Sequence, residues 1–287
     1  MFCVDQQGTW IPTTPIYHLR KGAFFLNPEG IASENLPESP LKLSAKIPEK
    51  LPYPEALKAL PEMRPPAVWM PYNKVGRSGT DLATCDAGGK FGPFDGQMFV
   101  AEFTDAKISR VFLEKVDGEY QGACFPFVGG FASGIVRLSF APDGSLMVGM
   151  TSRGWSSLGT KAYGLQRLRY NGTVPFAIKE MKAKPDGFEL IFTKPVDVAR
   201  AGDIASYRMS NYTLFYSSAY GSHEIQSAPN GIVSAKVASD GLSVRLKVDG
   251  LRKLYIHELH ADGIRSAAGE VLDHADAYYT LNRIPKN

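Results

Sequence analysis

Hydrophobic and polar positions change over short intervals along almost the whole chain. Ile135-Val136-Arg137-Leu138-Ser139-Phe140 is followed by Pro142-Asp143-Gly144-Ser145 and then by Leu146-Met147-Val148-Gly149-Met150-Thr151. Two short apolar runs around an Asp-Gly turn predict a β-hairpin. Phe99–Phe103 and Ile108–Leu113 repeat the pattern around Thr104-Asp105-Ala106. Lys115-Val116 and Tyr120-Gln121-Gly122 do so around Asp117-Gly118, and Leu165–Tyr170 ends at Asn171-Gly172. Turn signals at such short, regular spacing predict a mainly β fold: a sandwich, a barrel or a propeller.

Two stretches interrupt this rhythm. Residues 35–66 hold Pro37, Pro40, Pro48, Pro52, Pro54, Pro61, Pro65 and Pro66, a density that no central strand tolerates. Only Pro54–Leu60 reads as helix, with its proline at the start. A loop this long is expected to cover a sheet edge or to carry function. The second interruption is Gly172-Thr173-Val174-Pro175, which marks a boundary between 1–173 and 174–287. Beyond it, Ile178–Ala183, Gly187–Phe192, Tyr212–Tyr216, Ile232–Val237, Ser243–Val248, Tyr255–Leu259 and Ala277–Leu281 read as strands. Asp197–Tyr207 reads as a helical crossing. A unit of roughly 100 residues with about seven strands is the size of an immunoglobulin-like sandwich.

Composition narrows the function classes. The chain is 44% hydrophobic and 21% charged, enough for a sizeable core. Its net charge is +3 from 32 basic and 29 acidic residues, with no basic run, so nucleic acid and anionic membrane surfaces are not expected partners. No apolar stretch reaches the roughly 18–20 residues of a membrane span. The Met1 region has no basic n-region and h-region, so no signal peptide is expected in this chain. Cys3, Cys85 and Cys124 form no Cys-x-x-Cys or Cys-x-x-Cys-His, which leaves neither a zinc ribbon nor a c-type haem motif. A Cys85–Cys124 disulfide and buried free thiols are both open.

Several short motifs fail on physical grounds. His257-Glu258-Leu259-His260 resembles a zinc pair, but on a strand positions 257 and 260 face opposite ways. Ser39-Pro40-Leu41-Lys42 matches Ser-x-x-Lys but lies in the proline-rich loop without partner motifs. No Gly-x-Ser-x-Gly elbow occurs, and Gly88-Gly89 is too short for a phosphate loop. Asp203 and Asp262 lie near turns, and sequence alone does not pair them as glycosidase carboxylates.

The ordered motifs resemble a family. Phe91-Gly92-Pro93-Phe94-Asp95-Gly96-Gln97, Tyr120-Gln121-Gly122-Ala123-Cys124, Pro142-Asp143-Gly144-Ser145-Leu146, Ser152-Arg153-Gly154-Trp155 and Gly164-Leu165-Gln166-Arg167-Leu168 resemble the last blades of bacterial glucose/sorbosone dehydrogenase-like β-propellers. Asp186-Gly187-Phe188, Phe192–Asp197, Tyr220-Gly221-Ser222 and Tyr278–Asn282 resemble the sandwich that follows such propellers in large secreted members. The resemblance implies a partial β-propeller over 1–173, with blades at about 66–128 and 131–172 and the 35–66 insertion, followed by an immunoglobulin-like β-sandwich over 174–287. It implies a periplasmic or extracellular parent protein of which Met1–Trp10 is a mid-propeller strand and turn. Quinone and calcium are implied only for the full-length family, and no catalytic residue carries over because most funnel blades are missing. The partial propeller is expected to rely on missing blades or to self-associate through the 1–10 edge.

Within that frame the candidate binding residues are Asp5, Gln6, Gln7, Trp10, His18, Arg77, Arg153, Trp155, Gln166 and Arg167, polar or aromatic groups near strand ends. Arginine and tryptophan at a propeller mouth suit acidic or sugar ligands; the structural alternative is hydrogen bonding between blades. Three functions follow: a fragment related to a sugar or alcohol dehydrogenase, a non-catalytic module binding a glycan or a protein, and a hydrolase with an unrecognised site.

Overall fold

The structure, a computed structural model, describes residues 1–39, 42–43 and 45–286, with Gly30 and Ala32 given by their backbone alone. Strands make up 45% of it and helices 7%. In chain order the strands are β1 (Phe2–Val4), β2 (Thr14–His18), β3 (Leu51–Pro52), β4 (Val68–Met70), β5 (Gly79–Thr84), β6 (Met98–Glu102), β7 (Lys107–Val116), β8 (Glu119–Val128), β9 (Ile135–Phe140), β10 (Leu146–Thr151), β11 (Tyr163–Leu168), β12 (Ile178–Lys184), β13 (Gly187–Phe192), β14 (Arg208–Tyr216), β15 (Glu224–Asn230), β16 (Ile232–Val237), β17 (Ser243–Val248), β18 (Tyr255–His260) and β19 (Asp276–Leu281). The helices are α1 (Tyr53–Ala59) and α2 (Val198–Gly202), with 3₁₀ segments at Pro28–Asn35 and Ile204–Ser206.

Turn chemistry explains the local hairpins. Asp117 and Gly118 both take positive φ, 48° and 81°, between Val116 and its partner Glu119. That is the type I′ geometry whose twist matches the strands it joins. β9 and β10 pair around the Asp143-Gly144 turn as their pattern requires. β11 begins and ends two residues before the apolar run expected there, while β4, β5 and β15 lack a strong alternating signature.

The named strands all pair antiparallel, in four sheets of which none closes. The largest runs β15-β14-β18-β19-β8-β7-β6-β5, with β3 added alongside β14. Its middle strands bury both faces. On β8, Ala123 and Phe125 join one core while Cys124 joins another; on β19, Ala277, Tyr279 and Leu281 oppose Tyr278 in the same way. One face is covered by the β12-β13-β17-β16 sheet and, further along, by β9-β10-β11. The opposite face is covered by β1-β2-β4 and α1.

The boundary expected at residue 173 does not separate the sheets. β19 pairs with β8 through Tyr278–Cys124, Tyr279–Ala123 and Thr280–Gly122, so one sheet crosses residue 173. The short tether at 171–175 constrains only the first strands after it, and β19 lies a hundred residues downstream. Arg110 sews the same seam. It is buried between the rings of Phe94 and Phe125, 4.3 Å from each, and donates to the carbonyls of Ile178 (2.6 Å) and Lys179 (2.8 Å) and to Gln97 Oε1.

Other expectations resolve physically. β1 pairs within its own chain on one side, Phe2–Val4 with Ile16–His18, and is the outer strand of the β1-β2-β4 sheet. The proline-rich segment does cover an edge. Leu51 and Pro52 pair with Tyr216 and Phe215, and Tyr53, Ala56, Leu60 and Met63 fill the core beneath. All three cysteines are free, with Cys85 and Cys124 buried; burial pushes the Cys85 thiol up to about 12 and the Cys124 thiol higher still. Among the described residues, no helix is long and apolar enough to cross a membrane, which says nothing of membrane β-barrels.

Candidate functional site

Where the two smaller N-terminal sheets meet the end of the large one, the chain leaves a cleft of about 460 Å³. Six separate segments supply its walls. Gln6 and Gln7 come from the β1–β2 turn, and Tyr72, Arg77, Ser78 and Thr80 from the β4–β5 connection and the start of β5. Phe103 and Thr104 form the β6–β7 turn, Val136 lies on β9, Arg153 and Trp155 sit in the β10–β11 loop, and Tyr220 in the β14–β15 loop.

Each wall is held by backbone hydrogen bonds rather than by chance contact. Gly221 N donates to Gly8 O (3.0 Å) and Ser222 N to Pro12 O (2.9 Å), which ties the Tyr220 loop to the turn carrying Gln6 and Gln7. Gln7 is buried and its side-chain amide donates to Pro12 O at 3.1 Å. A side chain at Gly221 would strike that amide, and its φ of +67° independently favours glycine. The Trp155 loop is anchored by Leu158 N to Thr104 O (2.7 Å). Gly159 permits this approach, because a Cβ there would collide with the Ser133 backbone.

The floor is set by Glu102. Its buried carboxylate accepts from Asp105 N (2.7 Å) and from Ser78 N, so it joins the two turns that carry Arg77 and Thr104. Burial raises its pKa, against the opposing pull of those two backbone amides. Thr80 Oγ1 donates to Ile135 O at 2.7 Å and binds the floor to β9.

The side chains that face solvent are unusual in type. Trp155 is 69% exposed and Tyr220 71%, with Tyr72 at 38%. Exposed aromatic rings gathered around one concavity mark a recognition surface more often than a packing accident. Arg77 lies over the Tyr72 ring, 5.7 Å from its centroid, and 3.4 Å from Asp105 Oδ1. Burial works against its charge, but Tyr72 and Asp105 outweigh that and hold its pKa above the ordinary value. The Arg153 guanidinium makes no hydrogen bond or ion pair with any described residue; only its backbone N–H is engaged, by Thr151 Oγ1 at 3.1 Å. No aspartate or glutamate is among the described residues that line the cleft.

Of the ten residues read from sequence, Gln6, Gln7, Arg77, Arg153 and Trp155 converge here. The other five do not line it. Asp5 accepts from Gln6 N at 2.8 Å and shapes the turn. Trp10 packs on Tyr216, ring centroids 5.0 Å apart. His18 packs against the rings of Phe2, tilted, and Tyr120, edge-on, and accepts from Arg20 Nε at 3.2 Å; burial, then the Arg20 charge, lower its pKa. Gln166 accepts from Ala132 N at 2.8 Å, and Arg167 donates to Ser145 Oγ at 2.7 Å and pairs with Asp143. These last two bond within the blade read at 131–172, not between blades. Tyr72 and Tyr220 went unrecognised as site residues. Their one sequence signal is an aromatic beside turn formers, in Pro71-Tyr72-Asn73 and Tyr220-Gly221-Ser222.

The discounted motifs stay apart from the cleft. His257 and His260 lie on β18; His257 is fully buried, while His260 contacts Glu258 (3.1 Å) and Asp276 (2.6 Å) through its two ring nitrogens. Among the described residues, no group of His, Cys, Asp or Glu is arranged to hold a metal. Asp203 caps the 3₁₀ segment that follows it, and Asp262 pairs with Arg208 at 2.8 Å. In Ser39-Pro40-Leu41-Lys42, Pro40 and Leu41 lie outside the described residues; Lys42 Nζ donates to Glu34 O.

Protein-family models, curated proteins and solved structures were each compared with the chain, and none matches it.

Proposed function

We propose that the chain is a non-catalytic glycan-binding module and that the cleft takes a sugar bearing a carboxylate. The observation that carries this is the convergence of three exposed aromatic rings, Tyr72, Trp155 and Tyr220, with an unpaired arginine, Arg153, around one concavity. The rings offer flat apolar faces for the C–H faces of a sugar. Arg153 offers planar, bidentate donors for a carboxylate, and Gln6 an amide for hydroxyls. A cleft of about 460 Å³ lies within the roughly 300–1,000 Å³ of small-ligand sites.

A binding role is favoured over hydrolysis by the lining itself. Acid–base work needs a carboxylate presented to the ligand; none is among the described residues that line the cleft, and Glu102 is buried with both oxygens engaged by backbone amides. The resemblance to glucose/sorbosone dehydrogenase-like propellers points to carbohydrate from a different direction. The four-strand meander β5–β8 and the three-strand meander β9–β11 support its blade reading, and β12-β13-β17-β16 supports a sandwich layer. In that frame the module serves an extracytoplasmic parent, and its sugar contact is what remains of a propeller mouth.

The test is a glycan array of neutral, uronate-bearing and sulfated glycans, read with the native chain and with Trp155→Ala and Arg153→Ala. Retention of uronate-bearing glycans, lost in the first variant and weakened about tenfold in the second, is expected. No retained glycan, or retention indifferent to both substitutions, would overturn the reading.

A further inference from the structure

We infer that the cleft is one lobe of a longer groove, so that its ligand is a chain of sugars: an anionic unit beside Arg153 and neutral units extending past Tyr72. This rests on the glycan reading above and adds to it the length and polarity of the ligand.

A second cavity of about 240 Å³ adjoins the first, and Tyr72 lines both. The β14–β15 loop also serves both: Tyr220 faces the first, while Ser222 and His223 face the second. The divider between them is rigid. Gly221 is fixed by its bond to Gly8 and Ser222 by its bond to Pro12. Tyr72 sits in a tight turn in which Lys74, Val75 and Gly76 all donate to Pro71 O, at 3.1–3.2 Å. The shared wall is therefore a set ridge with an aromatic face, and a ligand leaving the first lobe along it enters the second.

Size argues against a separate ligand for the second lobe. Its volume lies below the range of about 300–1,000 Å³ usual for independent small-molecule sites, yet it leaves room for a further ring of a ligand already held next door.

The chemistry of the two lobes differs. No arginine is among the described residues that line the second. Its nearest cation, Lys74, is committed to Glu224 (2.7 Å) and Glu258 (2.5 Å). Thr13 and Ser222 spend their hydroxyl protons on Met70 O and His223 O, both at 2.7 Å. What remains for a ligand is the exposed His223 ring, whose nitrogens bond no described residue, and Oε2 of the exposed Glu224, the oxygen that Lys74 does not take. These accept and donate to hydroxyls, and Glu224 and Glu258, two carboxylates sharing the single Lys74 charge, disfavour a further carboxylate. The groove thus has a direction: charge at the Arg153 end and neutral hydroxyls at the His223 end.

Titration calorimetry of the full chain with three probes tests this: glucuronic acid, glucuronosyl-xylose and glucuronosyl-xylotriose. Affinity is expected to rise at least tenfold from the monosaccharide to the longest probe. His223→Ala should remove most of that gain and leave the monosaccharide unchanged, whereas Arg153→Ala should weaken all three. A galacturonate tetramer, charged along its length, should gain less than the xylose-extended probe. Equal affinity at every length, or a length gain indifferent to His223→Ala, would overturn the groove while leaving the glycan reading intact. An equal gain for the galacturonate tetramer would overturn the polarity. If none of the probes binds, the glycan reading falls and this inference with it.

Discussion

Arg110 and Arg153 belong to neighbouring parts of the same molecule and show two opposite uses of one side chain. Arg110 lies in the seam between the large sheet and β12, enclosed by two phenylalanine rings, with two carbonyls and an amide oxygen taking its protons. Burial pushes its pKa down to about 9, and three protein acceptors stand in for the water it has lost. Arg153 stands in an exposed loop with no acceptor among the described residues. A cation whose hydrogen bonds are filled by its own chain contributes to the fold; one whose donors are left to solvent is available to a ligand. The same contrast separates the seam from the cleft as a whole.

The largest expected effect breaks the seam. Arg110→Ala removes the guanidinium and strands the carbonyls of Ile178 and Lys179 and the side chain of Gln97. A loss of about 3–5 kcal/mol in urea unfolding is expected. A loss under about 1 kcal/mol would show that the seam does not depend on it.

A smaller effect probes the β19–β8 joint. Tyr279 OH donates to Glu114 Oε1 (2.5 Å) and accepts from Gln121 Nε2 (2.8 Å). Tyr279→Phe leaves both partners buried and short of a bond, and should cost about 2 kcal/mol. If instead the variant unfolds at the native denaturant midpoint, the pairing of β19 with β8 is not maintained in solution.

His257 gives a pH test of the same layer. Burial holds its pKa down to about 3, against about 6.5 in an unfolded chain. Below about pH 6.5 the unfolded chain therefore takes up a proton that the folded one refuses, and stability falls as pH drops toward about 3. The slope is at most roughly 1.4 kcal/mol per pH unit from this group. The difference in unfolding free energy between the native chain and His257→Gln, followed from pH 7 to pH 5, isolates it; a pH-independent difference would place the imidazole in water.

The smallest effect completes the comparison. Arg153→Ala should leave the unfolding free energy within about 0.5 kcal/mol of the native value. A loss comparable to that of Arg110→Ala would assign Arg153 to packing and take it out of the site.

Much of the local structure was legible in the residues. The β9–β10 hairpin, the Asp117-Gly118 turn, the strand from Tyr255 and the helix after Pro52 follow from alternation, turn formers and a proline in the first helical turn. Half of the ten candidate residues fall in the site, because Arg153-Gly154-Trp155 and Arg77 are the residue types a ligand needs near strand ends. Gln166 and Arg167 are the same kinds of residue at the same kind of position, yet Ala132 N and Asp143 occupy them. Nothing in their sequence surroundings distinguishes a satisfied side chain from a free one.

By itself, then, the sequence determined which segments extend, where they turn, and that the cysteines carry no metal motif. These depend on period-two alternation and turn dihedrals, which act over a few residues. Only the tertiary structure decided that β19 joins β8, that α1 and the Leu51-Pro52 pair cover β14, and that Tyr72, Trp155 and Tyr220 share one cleft. The physical reason is that strands buried on both faces, such as β8 and β19, carry nearly unbroken apolar runs. Alternation no longer tells one face from the other there, and the choice of neighbour falls to long-range packing and register.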